Sequence, residues 1–306
     1  MAAGGLRRLS ASAWLGLGLM GVFCVLPAYA IVDHVVLCEA VVTPTTDEFI
    51  EIFNPTGAPI ALDNYYLSDD EDYALLPGAS GAGPAPSIAS SDFIVQFPSG
   101  ATIPAGGVVV VSFDGASFLV TFGFRADFED HGVDAGTPDM IATNVGGTAG
   151  LTNAGENAVL FFWNGASDLV TDVDMLNIGT PSTSNDIVDK TTISVDGPDA
   201  DSTASLYLAD AFTMPQQAGD PGSGASTKRM LLETGNETTG GGNGITGDDE
   251  TSEQITLTWD SPTFTAPNPG VCGASSPPAV PAASTVGLVL LALSVLAGLA
   301  VLYRCQ

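Results

Sequence analysis

The sequence predicts an all-β protein built as a β-sandwich. Between residues 31 and 270, short apolar runs are separated by turn-forming glycine, proline, asparagine and aspartate residues. No long stretch in this region repeats its apolar positions with the period of ~3.6 residues that marks an amphipathic helix. A helical or α/β fold would need such stretches, so the pattern favours short strands that form packed sheets.

Eight segments are predicted strands. In chain order they cover 34–42, 47–54, 60–69, 92–98, 107–113, 157–164, 168–176 and 254–260. One short helical turn is predicted within 115–124, and the segments 78–91, 219–226 and 235–253 are predicted loops. In the second strand, alternation puts Phe49 and Glu51 on one face and Ile50 on the other, so both faces are expected to be partly covered.

Residues 1–30 are predicted to be a secretory signal peptide. Arg7 and Arg8 precede an apolar run, and the small residues around Tyr29 end at Ala30, which is the predicted cleavage site. Glycines and Pro27 within the run make it a poor globular helix. The mature chain is therefore expected outside the cytoplasm.

The C-terminal region predicts a membrane-anchoring or sorting helix at 286–303. Its sequence, VGLVLLALSVLAGLAVLY, has no charged residue, and as a helix it would span about 27 Å, close to the ~30 Å hydrocarbon core of a bilayer. The Pro/Ala/Ser-rich segment 271–285 is a predicted extended spacer, and residues 304–306 form a short basic tail. The arrangement predicts that the domain at 31–270 is exported and anchored at the cell surface.

The charge balance excludes one class of partner. Seven lysines and arginines stand against 35 aspartates and glutamates, for a formal net charge of −28. Such an acidic surface repels nucleic acid and anionic lipid. The membrane contact is therefore expected through the C-terminal helix alone.

Three cysteines lie outside the signal peptide: Cys38, Cys272 and Cys305. Export permits a disulfide, and a bridge between Cys38 and Cys272 would fasten the two ends of the domain together. Two free thiols are the alternative, because the sequence does not reveal whether the Cα atoms approach within the ~4.4–6.8 Å that a bridge requires.

A motif at 39–70, EAVVTPTTDEFIEIFNPTGAPIALDNYYLSDD, places an acidic residue at the end of one strand and follows it with an E-F-I-E-I-F-N core and a strand that ends in S-D. It resembles the N-terminal half of the lamin-tail domain of exported bacterial proteins, and the segments 103–115 and 150–173 resemble later parts of that domain. The matching residues of the first motif are Glu39, Glu48, Phe49, Ile50, Glu51, Ile52, Phe53, Asn54, Ile60, Leu62, Tyr66, Leu67, Ser68 and Asp69. The resemblance implies an immunoglobulin-like β-sandwich that binds or supports other molecules and has no catalytic residues. This chain departs from the family by added length at 77–92 and 177–227.

The tail at 280–304 resembles the sorting tails of Gram-negative bacteria that begin I-P-T-L-S-E-W-G-L. Pro281, Ser284, Gly287 and Leu288 keep the register of that pattern, whereas Arg304 stands alone where a basic cluster is usual. Two outcomes remain open: a sorting protease removes the helix, or the helix stays as the anchor.

Acidic loops are the candidate sites for chemistry. Calcium is bound in proteins by six to eight oxygen ligands, often from flexible acidic loops. Two segments of this chain have that character, the first at 68–72 and the second at 247–253. Their candidate ligands are Asp69, Asp70, Asp72, Asp248, Asp249, Glu250 and Glu253. Neither segment has the spacing of an EF-hand loop, so solvated turns are the alternative interpretation.

No motif in the sequence predicts an enzyme. The two histidines, His34 and His131, belong to no recognisable nucleophile or zinc motif. The aromatic residues at 65–66 and 161–163 are expected in the core rather than at a ligand. The predicted function is a non-catalytic cell-surface module for adhesion, binding or structure, with a surface protein or glycan as partner. The alternative is a calcium-dependent module that binds a ligand or carbohydrate, as an accessory to an extracellular hydrolase.

Overall fold

A computed structural model describes residues 32–130, 132–145, 149–153, 155–179, 188–210, 219–232, 238 and 240–275. All of them belong to one compact unit, Ala30–Ala279. The predicted signal peptide with its cleavage site at Ala30, the helix at 286–303, the tail at 304–306 and most of the spacer at 271–285 lie outside the described residues. Within the described part of the chain, no helix has the length and hydropathy required to cross a bilayer.

The described structure is mostly β-sheet, so the predicted all-β class is confirmed. The strands are β1 (Val36–Val41), β2 (Phe49–Phe53), β3 (Ile60–Ala61), β4 (Tyr65–Ser68), β5 (Phe93–Gln96), β6 (Thr102–Ile103), β7 (Val108–Ser112), β8 (Phe128–Glu129), β9 (Ile141–Val145), β10 (Gly155–Phe162), β11 (Thr171–Gly179), β12 (Ser194–Val195), β13 (Ser205–Leu206) and β14 (Thr227–Lys228). The α-helices are α1 (Leu76–Ser80), α2 (Gly115–Phe122) and α3 (Ile255–Thr258). Short 3-10 helices cover Thr45–Asp47, Glu71–Leu75 and Glu250–Ser252.

Two five-stranded sheets dominate the architecture. The first sheet has the order β14-β1-β2-β7-β8, and the second has the order β11-β10-β4-β5-β9. Their neighbouring strands are antiparallel except for β7 and β8, which pair in parallel. The pairs β12-β13 and β3-β6 form two small sheets of two strands each.

Both large sheets contribute to one hydrophobic cluster. Leu37, Ile52 and Val109 of the first sheet belong to the same buried cluster as Leu67 and Leu160 of the second. The alternation of side chains along each strand explains this arrangement, because every second residue points to the same face. Burying these apolar faces supplies most of the driving force for folding.

Helix α2 covers the opposite face of the first sheet. The ring of Phe49 in β2 makes edge contacts with Phe118 and Phe122 of α2, each at 5.7 Å between centroids. The side chain of Asp114 caps the helix by accepting a hydrogen bond from the backbone N–H of Ser117 at 2.8 Å. Gly123 ends it with a φ of 80°, the left-handed conformation that favours glycine. The predictions of a helix within 115–124 and of two covered faces on β2 are confirmed.

A second cluster buries the aromatic residues of β4 and β10. Tyr66 stacks on Phe161 at 5.0 Å between centroids, and Tyr73 of the 3-10 helix lies 4.9 Å from the same ring. Trp163 belongs to this cluster too. These rings pack inside the domain, as the sequence predicted.

The predicted strand at 60–69 is divided into β3 and β4, which belong to different sheets. The predicted strand at 254–260 is wrong. Segment 254–260 alternates apolar and β-branched residues, yet residues Ile255–Thr258 form the short helix α3. Ile255 and Trp259 are both buried and lie four positions apart, and the backbone N–H of Trp259 bonds to the carbonyl of Ile255 at 2.9 Å. Leu257, which a strand would have buried with them, is 48% exposed. Tertiary burial at helical spacing has overridden the local β-propensity.

The two segments of added length contact each other. The backbone N–H groups of Ala82 and Gly83, in the first segment, donate to the carbonyl oxygen of Asp196, in the second, at 3.1 and 3.0 Å. Gly83 is required at this approach, since a Cβ there would meet the backbone nitrogen of Asp196 at 2.9 Å. The described parts of these segments therefore form a joint structure beside the sheets.

Candidate functional site

The first predicted calcium segment is largely buried. Asp69 follows β4 and accepts a hydrogen bond from the backbone N–H of Phe93 at 2.6 Å through Oδ1. Asp70 accepts from the backbone N–H of Asp72 at 2.7 Å, which caps the 3-10 helix at Glu71–Leu75. Both aspartates are buried, with 2% and 1% of their surfaces exposed. The solvated-turn interpretation is thus wrong for these two residues.

Three carboxylates converge beside this segment. One oxygen each from Asp70, Glu71 and Asp92 can be chosen so that all three lie within 4.8 Å of one another. Asp72 is outside this acidic trio, and its Oδ2 accepts from the backbone N–H of Ser87 at 3.2 Å. The trio thus keeps Asp70 from the predicted set and adds Glu71 and Asp92.

The electrostatics of this region favour neutralisation. Burial raises the pKa of Asp70 to about 7, helped by the negative charges of Glu71 and Asp92. Burial and then the charge of Glu156 raise the pKa of Asp69 well above its ordinary value. Among the described residues, Asp69 Oδ2 has no hydrogen-bond partner. A proton or a cation would offset the cost of keeping these carboxylates out of water.

The second predicted calcium segment has structural partners instead. Asp249 accepts from the backbone N–H of Thr251 at 3.2 Å and so caps the 3-10 helix at Glu250–Ser252. Glu253 accepts from Nη1 of Arg229 at 3.0 Å, and Asp248 accepts from the Thr246 hydroxyl at 2.5 Å. Asp249, Glu250 and Glu253 are buried, so a solvated turn is wrong for them as well. Within the described ranges, no three acids of this segment bring their oxygens together.

A third acidic group was not singled out by the sequence. Oxygens of Asp168, Asp196 and Asp199 can be chosen within 4.8 Å of one another. Asp168 already accepts hydrogen bonds from the backbone N–H of Gly197 at 2.9 Å and from the Ser205 hydroxyl at 2.7 Å. The hydrogen bonds from Ser205 and Gly197 hold the pKa of Asp168 below its ordinary value. Asp168 thus holds together the two ends of the connection between β12 and β13.

A row of charged side chains crosses the outer face of the first sheet. Glu39 of β1 is paired in register with Lys228 of β14 on one side and with Glu51 of β2 on the other. Residues 265–272, which we call the C-terminal segment, lie over this row. The backbone N–H of Asn268 donates to Glu39 at 3.0 Å, and that of Gly270 donates to Glu51 at 2.5 Å. Burial raises the pKa of both glutamates, to about 7 for Glu51.

The segment is joined covalently to the sheet. Cys38 and Cys272 form a disulfide, and their Cα atoms are 5.8 Å apart. A cavity of about 340 Å³ lies between the segment and the sheet, with Glu39, Lys228 and Asp260 among its lining residues. Lys228 Nζ lies 3.7 Å from Glu39 Oε1 and donates to Thr265 at 2.9 Å.

A buried lysine lies within a cluster of ionisable groups. Lys190 has no exposed surface, and its Nζ lies 2.8 Å from Asp172 Oδ2 and 2.9 Å from Asp210 Oδ2. The Tyr73 hydroxyl donates to Asp172 Oδ1 at 2.6 Å. Sequence reasoning missed this cluster, although one signal was available: Lys190 and Lys228 are the two lysines of the entire chain.

Comparisons with known proteins give little guidance. No protein-family model matches the chain, and no curated protein matches it. Among solved structures, the chain is similar to the crystal structure of a DUF4876 family protein from Bacteroides thetaiotaomicron, with 14% sequence identity and a TM-score of 0.44. The alignment covers 80% of this chain and 75% of that one. This likeness is too distant to assign a family, and the lamin-tail resemblance stays a prediction.

Proposed function

We propose that the protein is an exported, non-catalytic module of the cell surface, built as an immunoglobulin-like β-sandwich of the lamin-tail type. The observation that carries this proposal is the disulfide between Cys38 and Cys272. Disulfides persist in oxidising compartments outside the cytoplasm. This one also fastens β1 to the beginning of the predicted spacer at 271–285, which suits a domain held at a surface by its C-terminal end.

The arrangement of the sheets supports the sandwich. Two five-stranded sheets with mainly antiparallel strands contribute to a common hydrophobic cluster. Face-to-face packing of such sheets is the usual way to bury one face of each. The acidic exterior favours a solvated, extracellular role. A surface protein or glycan is the partner that we propose, bound through the loops or a sheet edge.

Expression of the full chain in a Gram-negative host tests this proposal. We expect added protease to reach the domain in intact cells, and deletion of 286–303 to release it into the medium. A cytoplasmic, fully reduced protein in cells that carry the intact chain would contradict the proposal. A variant that lacks residues 2–30 serves as the control, because it should stay inside.

A calcium-dependent binding module is the second candidate. The acidic trio of Asp70, Glu71 and Asp92 favours it, together with the buried Asp69, whose Oδ2 has no partner among the described residues. Oxygen-rich clusters of this kind suit a hard cation such as calcium. Calcium would then order the 3-10 helix at Glu71–Leu75 and present the surrounding loops to a ligand or carbohydrate.

Thermal unfolding with calcium and with excess chelator tests the second candidate. Calcium at a hundredfold excess over its dissociation constant is expected to add about 2.7 kcal/mol to the free energy of unfolding. Asp92→Asn should abolish this gain, whereas Asp248→Asn, in the other acidic segment, should keep it. An identical melting temperature with calcium and with chelator would rule the calcium module out.

A further inference from the structure

Lys190 is enclosed in a site that offers it two carboxylates. Its side chain is 0% exposed, and the side chains of Asp172 and Asp210 are each 1% exposed. A lysine side chain is almost never fully buried unless it is paired, because removing an ammonium from water is costly. One ammonium facing two carboxylates leaves this site with an excess negative charge.

Each partner of Lys190 is held in place by further contacts. Asp210 Oδ2 also accepts from the backbone N–H of Lys190 at 2.7 Å, and its Oδ1 accepts from the side-chain amide of Asn243 at 2.7 Å. Asp172 lies on β11, and its backbone N–H donates to the carbonyl of Asn243 at 3.0 Å. The amine and the two carboxyl groups therefore approach one another on rigid supports, which is the condition for a rapid intramolecular reaction.

Aromatic rings separate the site from water. The Tyr73 ring is fully buried, and Lys190 Nζ lies 5.7 Å from its centroid. Lys190 Nζ also lies 3.3 Å from the Tyr73 hydroxyl, and Tyr207 packs in the same cluster as Tyr73. A desolvated lysine amine is a nucleophile, unlike arginine, which keeps its proton.

We propose that Lys190 and Asp172 join in an intramolecular amide bond, with Asp210 as the proton-transfer group and Tyr73 as the donor that stabilises the intermediate. This inference goes beyond the proposed function, because it concerns a covalent modification of the domain by itself. The bond would tie the segment that contains Lys190 to strand β11. It would supplement the disulfide as a second covalent link.

The reaction balances without any further reactant. Asp210 takes a proton from the Lys190 ammonium and passes it to Asp172 Oδ2, and the free amine attacks Cγ of the now neutral Asp172 carboxyl group to form the C–N bond. Negative charge then develops on Asp172 Oδ1, where the Tyr73 hydroxyl already donates a hydrogen bond. Asp210 then passes a second proton from the nitrogen to Asp172 Oδ2, which departs as water. Ammonium and carboxylate become amide and water, and Asp210 ends as it began.

The proton positions in the site support this order of events. Burial raises the pKa of Asp172, which favours its protonated, electrophilic form. Burial also favours the neutral amine of Lys190, but the charges of Asp172 and Asp210 outweigh it and raise the pKa of Lys190. The amine is therefore freed only by proton transfer within the site, and this is the role of Asp210.

Mass spectrometry of the purified full-length protein, reduced and denatured, tests the proposal. We expect the folded wild type to be lighter than its unlinked chain by one water molecule. Protease digestion should give one branched peptide that joins the residues around Asp172 to those around Lys190. Lys190→Arg should have the unlinked mass, whereas Lys228→Arg, at the other lysine, should keep the loss of water.

Two further variants assign the roles. Asp210→Asn should leave the chain unlinked although it folds, as judged by circular dichroism, and Tyr73→Phe should slow linkage. A folded wild type that keeps the full mass and gives no branched peptide after long incubation would overturn the proposal. Complete linkage in Asp210→Asn would overturn the role of Asp210. The wild type and Lys228→Arg decide the main question even if Lys190→Arg fails to fold.

Discussion

The guanidinium of Arg229 joins three parts of the chain at a buried point. Its Nη2 donates to both oxygens of Asp174 in β11 at 2.6 Å, and its Nε donates to the carbonyl of Leu37 in β1 at 2.7 Å. Nη1 reaches Glu253 at 3.0 Å, and the ring of Trp259 lies 4.9 Å from the guanidinium carbon. β1 and β11 belong to different sheets, so this one side chain connects them. Hydrogen bonds between two charged groups of this kind are roughly twice as strong as those between neutral groups.

Arg229→Met is therefore expected to destabilise the domain strongly. The substitution keeps an apolar stem but removes the charge that Asp174 and Glu253 face, and breaking a buried pair in this way costs about 3–5 kcal/mol. Denaturant unfolding measures the loss. Arg125→Met is the matched control: its ion pair with Asp134 is half exposed, and pairs of that kind contribute about 1 kcal/mol or less. Equal losses in the two variants would contradict this account.

Among the elements, α2 shows how local sequence signals and packing combine. Asp114 supplies the cap, Gly123 the end, and Phe118 the buried contact with β2. All three were visible in the segment GASFLVTFGF and its flanks, which explains why this helix could be predicted. Helix α3 lacks such signals, since no side chain caps it. Its existence depends on contacts made by Ile255 and Trp259 with residues that are distant in sequence.

Asp114→Ala tests the cap of α2. The variant loses the bond to the backbone N–H of Ser117 and is expected to cost about 1 kcal/mol in the free energy of unfolding. Val120→Ala is the control in the same helix, because Val120 is 85% exposed and its truncation should change stability by about 0.5 kcal/mol or less. Both values follow from chemical denaturation. A cap effect no larger than that of the control would show that packing alone holds α2.

The whole molecule carries an excess of buried acids, and its stability should depend on pH. Burial raises the pKa of Glu48 and of Glu51 from 4.5 to about 7. The folded state then binds a proton on each group more tightly than the unfolded chain does. This contribution to stability is complete below pH 4.5 and is lost as the pH rises through about 7.

We therefore expect the free energy of unfolding to fall between pH 5 and pH 8, as measured by denaturant titration. The slope approaches about 1.4 kcal/mol per pH unit for each group. Glu51→Gln, which keeps an acceptor for the backbone N–H of Gly270, should flatten the profile. Val120→Ala, at a residue that is exposed and does not titrate, should leave the shape of the profile unchanged. A stability that rises over this range would refute the assignment.

The disulfide between Cys38 and Cys272 is expected to stabilise the entire domain. It closes a loop with a sequence separation of 234 residues, and loss of a native bridge typically costs about 2–5 kcal/mol. Replacing both cysteines by alanine should lower the midpoint of denaturant unfolding. Reductant should lower the midpoint of the wild type to a similar degree and leave the double variant unaffected. If reductant left the unfolding midpoint of the wild type unchanged, the bridge would contribute nothing to the stability of the domain.

The sequence could predict the apolar framework but not the polar interior. Segments 47–54 and 107–113 are short runs of apolar, β-branched and aromatic residues next to turn-forming residues, so these strands were predictable. Nothing local distinguishes the buried Lys190 or Arg229 from exposed cations, because their burial depends on partners far along the chain. The same holds for Asp92, which joins Asp70 and Glu71 only through the pairing of β4 with β5.

A tethered protein experiences tension, and the position of the disulfide determines where that tension travels. A pull between the chain before Cys38 and the chain after Cys272 passes through the sulfur atoms, so the residues between the two cysteines carry none of that load. At ~3.5 Å per residue, about 800 Å of contour length stays locked inside the closed loop. In the anchored form that we propose, a domain pulled by its two chain ends would therefore lengthen little until the bridge is reduced, and the redox state of its surroundings would determine its extensibility.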